Sequence, residues 1–216
     1  MFPGTIQGEN IMDIEKHEET WWEVDGSFRL AFEPIEDSLI IKKVKSGWDV
    51  RYFAHDENPD SPQETNNASE YDAAFLVHYH DSFCIEEKDV ISKDDLRDWY
   101  QGKEIEQQKD YYMFPVSALI HSGTWLSLDN SFPSDGGGWD ASHVGAILVK
   151  KSECKTVEEA WKYAKGLLAD WNNYLSGNAY MAIVEQYDKD KQQIDYNVYG
   201  GYSGDVDKMK KELGSL

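Results

Sequence analysis

The sequence predicts an α+β fold: a mainly antiparallel sheet covered by one long amphipathic helix at about 157–175, with one or two short helices besides. Three observations lead there. Segments that read as strands outnumber those that read as helices, and two pairs of them flank short polar turns, as hairpins do. Val157, Ala160, Trp161, Ala164, Leu167, Leu168, Trp171, Tyr174 and Leu175 recur at helical spacing and share one face. Hydrophobic residues make up 40% of the 216, and aromatic residues 13%, which is enough to bury a core and unlike a disordered acidic tail.

Taken in order, residues 1–20 read as irregular or weakly helical. From Trp21 to Ile41 the pattern alternates in places, as in Phe28-Arg29-Leu30-Ala31-Phe32, and predicts strands broken at Pro34. Ser38–Val44 and Trp48–Phe53 flank Ser46-Gly47 as a hairpin. His55–Ser69, with Pro59 and Pro62, is a loop. Tyr71–Cys84 is a strand whose buried part is Ala73–Val77. Ser92 and Asp95 stand three apart, as a capping box does, and open a short helix that Gly102 stops. Tyr111–Ile120 is a buried strand, continued by Leu126–Leu128 after a turn at Ser122-Gly123, and His143–Val149 is another beyond the glycine-rich 131–138 loop. Thr156 and Glu159 cap the long helix and Gly177 ends it. Ala179–Tyr187 and Gln193–Tyr199 form a hairpin around Asp188-Lys189-Asp190, and Asp205–Leu213 is a terminal helix. No repeat or linker divides the chain, so residues 1–216 are expected to form a single domain.

Composition narrows the classes of function. No apolar run approaches the roughly 20 residues that span a bilayer. The acidic first thirty residues lack the basic start and apolar stretch of a signal peptide. Cys84 and Cys154 are weak grounds for a disulfide, so a reducing, cytoplasmic setting is expected. The net charge of −20 opposes phosphate, which disfavours direct nucleic-acid binding and anionic membranes. It favours a basic partner and speeds encounter with one. The charge is also uneven along the chain: −8 over 9–37, +3 over 38–55, −11 over 56–110 and −4 over 111–216. The expected picture is an acidic N-terminal half, 1–110, and a near-balanced C-terminal half, 111–216.

Catalytic patterns are weak. His78 and His80 share a face of one strand, and with His55, His121 and His143 could approach a metal, but the spacing matches no closed signature. Ser122-Gly123 lacks the nucleophile elbow, and Gly136–Gly138 lacks the Lys-Ser or Lys-Thr of a phosphate loop. Carboxylates are so common here that choosing a glycosidase pair would be arbitrary. Trp21-Trp22 reads equally as an interface anchor or as a strand covering its own core. No metal or other cofactor is expected.

Several blocks are familiar. Trp48–Glu64 (WDVRYFAHDENPDSPQE), His121-Ser122-Gly123, the Trp139, Asp140, Val144, Gly145 set, and Tyr174–Gly177 with Val184-Glu185, Ile194-Asp195 and Tyr199-Gly200 occur in order. Together they resemble an uncharacterised protein family of bacteriophages and conjugative elements, over roughly residues 48–201. The chain departs from that family where a cysteine usually precedes Trp-Asp, since Ser134 and extra glycine stand there, and where Ala141-Ser142 replaces Ser-Gly. The resemblance implies a mobile-element context and no particular reaction.

The expected function is therefore binding: a phage or mobile-element accessory protein that inhibits a host defence or DNA-handling protein, as anti-CRISPR and anti-restriction proteins do. Rows of carboxylates can imitate duplex DNA, which carries one charge per about 1.7 Å of axis. The candidate acidic face comprises Glu15, Glu18, Glu19 and Glu23 with Glu86, Glu87, Asp89, Asp94, Asp95 and Asp98. One alternative is a metal-assisted hydrolase using His80, His121 and Asp140, with His143 in support. The other is a structural or regulatory partner in a phage complex, which would expose an apolar patch. Oligomeric state is left open.

Overall fold

Early in the chain, short runs of alternating residues pair into a meander rather than coiling. The strands are Ile14–His17 (β1), Trp21–Val24 (β2) and Phe28–Leu30 (β3), joined in the order β1-β2-β3. This is a computed structural model, and it describes residues 14–17, 21–24, 26–62, 73–78, 90–120, 123–129 and 141–216. The remaining elements are Ile40–Lys43 (β4), Trp48–His55 (β5), Ala74–His78 (β6), Lys93–Tyr100 (α1), Tyr111–Ile120 (β7), Thr124–Ser127 (β8), Ala141–Lys150 (β9), Val157–Leu175 (α2), Ala179–Tyr187 (β10), Gln193–Ser203 (β11) and Val206–Leu213 (α3). The fold is α+β, with its registered strand pairs antiparallel and three α-helices among the described residues.

The chain divides into two compact units, Met1–Glu57 with Tyr180–Leu216, and Asn58–Ala179. In the first, a four-stranded sheet runs β11-β10-β5-β4. Alternation along β5 sends Val50, Tyr52 and Ala54 to one face and Phe53 to the other. Val50, Tyr52 and Ala54 pack with Val24, Phe28 and Leu30 of the meander and with Ile183 and Tyr187 of β10. Phe53 packs with Tyr180, Ala182, Met209 and Leu213, so α3 covers the opposite face. Arg51 fastens that helix: its Nη1 donates to the carbonyls of Leu213 at 3.1 Å and Gly214 at 3.3 Å. A cation at a helix C-terminus satisfies orphan carbonyls and opposes the dipole. Asp49 holds the guanidinium from below at 2.6 and 3.0 Å, which keeps the Arg51 pKa above its ordinary value. Gly47 has no alternative at the β4–β5 turn, since a Cβ there would lie 1.9 Å from the Tyr187 carbonyl.

The second unit is a four-stranded sheet, β6-β9-β7-β8, with both faces covered. On one face Ala160, Ala164, Leu167 and Trp171 of α2 pack on Leu76, Val116, Ala118, Leu126 and Ile147. On the other, Leu96 of α1 packs with Phe75, Val77, Ala146 and Leu148. Gly145 permits the close approach of β9 to β6, because a Cβ there would lie 2.0 Å from the Val77 carbonyl. Thr156 Oγ1 accepts the Glu159 amide at 3.1 Å, while Glu159 returns to the Lys155 amide at 2.8 Å, one residue before the cap. The helix closes as a Schellman motif: the Gly177 amide donates to Tyr174 O at 3.1 Å and the Asn178 amide to Asn173 O at 2.8 Å, with Gly177 at φ +74°.

Several expectations change. Residues 14–17 form a strand instead of an irregular or weakly helical segment, because Ile14–His17 finds pairing partners in Trp21–Val24. Thr124–Ser127 does not extend β7; it turns back and pairs antiparallel with it. The strands lie in three sheets, and α2 covers one face of one of them. Within Tyr71–Cys84 the described strand is Ala74–His78, and positions 79–89 and the 131–138 loop lie outside the described residues.

Candidate functional site

The acidic candidates fall into both units. Glu15 and Glu23 are register partners across β1 and β2, and Glu23 in turn faces Arg29 of β3. Asp94, Asp95 and Asp98 lie on α1 in the second unit. Asp95 belongs to the helix cap: its amide donates to Ser92 Oγ at 3.0 Å, and that hydroxyl donates to Asp95 Oδ2 at 2.7 Å. Asp94 meets Arg97 at 3.3 Å and Asp98 meets Lys103 at 2.6 Å. Both pairs are solvent-exposed, so each is weak and yields readily to a competing cation. Glu18, Glu19, Glu86, Glu87 and Asp89 lie outside the described residues.

Counted by unit, the charge takes a different form from its distribution along the chain. The first unit holds 20 acids and 11 bases, net −9; the second holds 21 acids and 10 bases, net −11. The near-balanced segment 180–216 folds together with acidic 1–57, so both units are similarly acidic. The concentration before residue 111 is a property of chain order and not of either unit.

The histidine candidates are dispersed or undescribed. His80, His121 and Asp140 lie outside the described residues, as does Cys84. His55 ends β5 and its ring lies 5.1 Å from that of Tyr180, in the first unit. His78 is buried in β6 and His143 exposed on β9, in the second. Among the described residues no group of three or more His, Cys, Asp or Glu could hold a metal ion.

His143 has a neighbour that sequence reasoning missed. A bulge between Val116 and Ser117 sets Ser117 opposite His143 across β7 and β9. Ser117 Oγ and His143 Nδ1 are 3.0 Å apart, and the Tyr100 ring lies over the imidazole at 5.0 Å between centroids. The Tyr100 hydroxyl is anchored on the Gly145 carbonyl. The pair can pass a proton between hydroxyl and imidazole, but Ser117 is only 4% exposed on a paired strand, with little room for a substrate to reach Oγ. Cys154 offers no nucleophile either. It is buried, and burial followed by Glu159 and Glu153 pushes its thiol pKa up, away from thiolate.

A groove of about 330 Å³ opens between β8 and α2, among Trp125, Leu128, Asp129, Lys165, Leu168 and Asn173. Its floor is fixed by Asn172, whose Oδ1 accepts the Leu126 amide at 2.7 Å and whose Nδ2 donates to the Leu126 carbonyl at 2.9 Å. One side chain thus occupies the free edge of β8 as a neighbouring strand would. Among the described residues, no helix is long and apolar enough to cross a membrane. Comparison with protein-family models, curated proteins and solved structures gives no match.

Proposed function

We propose that this protein works by binding a basic, nucleic-acid-handling protein through carboxylate-rich surface. The supporting observation is that both units carry a large net negative charge, −9 and −11, although neither owes it to a single acidic tail. The α1 carboxylates fit this reading. Asp94 and Asp98 are spent only on exposed ion pairs, which a lysine- or arginine-rich groove displaces at little cost. A phage or mobile-element setting, with the target a host defence protein, rests on the family resemblance of residues 48–201. DNA mimicry is the sharper form of the same reading, in which carboxylates take the places of phosphates.

Such binding is dominated by charge and weakens as ionic strength rises. The immobilised full chain, exposed at low salt to lysate of a bacterium with active restriction and CRISPR systems, should retain basic nucleic-acid-binding proteins and release them with salt. Retention of no such protein at low salt overturns the proposal.

One observation favours a second reading, a structural or regulatory partner in a phage complex. Ile194, Tyr196 and Val198 alternate along the edge strand β11 and are 58%, 54% and 44% exposed. Edge strands ordinarily carry Lys, Pro or a bulge against further pairing, whereas Gln193–Ser203 has Asp195 as its one charged residue. A partner held by this strand would stay bound as salt is raised, which separates the two readings.

A further inference from the structure

Glu185 is the one carboxylate among the described residues that is fully buried, at 0% exposure. It stands on β10 opposite Val50 of β5, on the face that packs against the meander. Two tyrosines and a loop amide surround it. Its Oε1 accepts from Tyr52 Oη at 2.9 Å and from the Ala31 amide at 3.0 Å. Its Oε2 lies 2.6 Å from Tyr187 Oη. Tyr187 Oη is also 2.7 Å from the Arg29 carbonyl, and Tyr52 Oη accepts the Phe32 amide at 3.3 Å.

Counting protons decides the state of this cluster. The Arg29 carbonyl only accepts, so the single phenolic proton of Tyr187 is committed to it. The 2.6 Å contact between Tyr187 Oη and Glu185 Oε2 then needs its proton from the carboxyl. An ionised Glu185 would draw the Tyr187 proton to itself and leave two lone-pair oxygens facing each other at the 2.7 Å Arg29 contact. With the acid neutral, every contact holds one proton: Glu185 donates to Tyr187, Tyr187 to Arg29 O, Tyr52 and Ala31 to Glu185 Oε1, and Phe32 to Tyr52.

We propose that Glu185 is a neutral carboxylic acid in the folded protein and acts as an alkali-sensitive latch. It joins Arg29, Ala31 and Phe32, the end of β3 and the residues after it, to the sheet through Tyr52 and Tyr187. The meander so held carries Glu15 and Glu23.

The electrostatics agree. Burial, the largest influence, pushes the Glu185 pKa up, and the contacts with Tyr187, Ala31 and Tyr52 only partly oppose it. Burial, the largest influence on both tyrosines, raises them as well, so they keep their protons. The groups acting on the carboxyl are Tyr52 from β5, Tyr187 from its own strand and the Ala31 backbone, and no charged side chain is one of them. The cation of the β10–β11 turn, Lys191, is engaged elsewhere: its Nζ donates to Ser27 Oγ at 2.5 Å and lies 4.6 Å from the Phe28 ring centroid.

Because the folded pKa is raised, the latch contributes fully below the ordinary glutamate pKa, roughly 4.3, and is lost as pH climbs through the folded value. Over that window the folding constant falls by about tenfold per pH unit. Glu185→Gln keeps the shape and supplies an amide N–H to Tyr187, so it removes the titration while retaining the chain of bonds. Denaturant unfolding of the full chain against pH should show the wild type losing stability relative to Glu185→Gln by that slope; parallel curves, or a variant that fails to fold, overturn the proposal. Carbon-13 NMR of the wild-type Glu185 carboxyl supplies an independent reading. A protonated-acid shift persisting to neutral pH supports the latch, and titration alongside the surface glutamates overturns it.

Discussion

The two units carry similar charge outside and differ in what they bury. The second unit is held by apolar contact, α2 on one face of its sheet and α1 on the other, with Asn172 as a buried polar group that pairs with both the amide and the carbonyl of Leu126. The first unit places a carboxyl and two phenols in the middle of its meander-facing core. A packed apolar core loses stability chiefly through cavities. A core with a protonated acid at its centre tolerates a polar group only while every proton is in place. The units should therefore fail under different stresses.

The largest expected effect is in the apolar unit. Trp171 is fully buried against Phe114, Leu126 and the other members of that core. Trp171→Ala should cost about 3–5 kcal/mol, read by denaturant unfolding, with little dependence on pH. A loss that changes markedly with pH would break the contrast between the units. Asn172→Ala should cost less, about 1–3 kcal/mol, since it leaves the Leu126 amide and carbonyl without their partner. Faster amide exchange at Leu126, ahead of the rest of β7 and β8, would show that the loss lies at the strand edge. Unchanged exchange there would show that the edge does not depend on Asn172. Glu185→Gln is the counterpart in the first unit, nearly silent at acidic pH and relatively stabilising as pH rises.

The same contrast explains what was legible in the sequence. The long helix was readable to its ends because nine apolar residues at helical spacing, a Thr cap and a terminal glycine all give one answer. Hairpins at Ser46-Gly47 and Asp188–Asp190 were readable from turn chemistry. β1 was not, because a four-residue strand owes its existence to pairing with Trp21–Val24 rather than to its own pattern. Glu185 was hidden more thoroughly. In a chain with 41 acids one glutamate in Ala179–Tyr187 carries no mark, and two of its partners, Ala31 and Tyr52, lie far from it in the sequence. Ser117 opposite His143 was equally hidden, since a bulge sets that register. Charge misled in a related way: order along the chain suggested an acidic half, and the joining of 180–216 to 1–57 spreads the excess over both units.

Competition with DNA for one partner probes binding through the acidic surface. A nucleic-acid-handling protein retained by the full chain should be titrated with short duplex DNA at fixed low salt. Duplex should displace the chain, and raising salt should weaken both complexes together. A partner that holds duplex and chain at once, with its affinity for the chain unchanged by DNA or salt, would contradict binding through that surface.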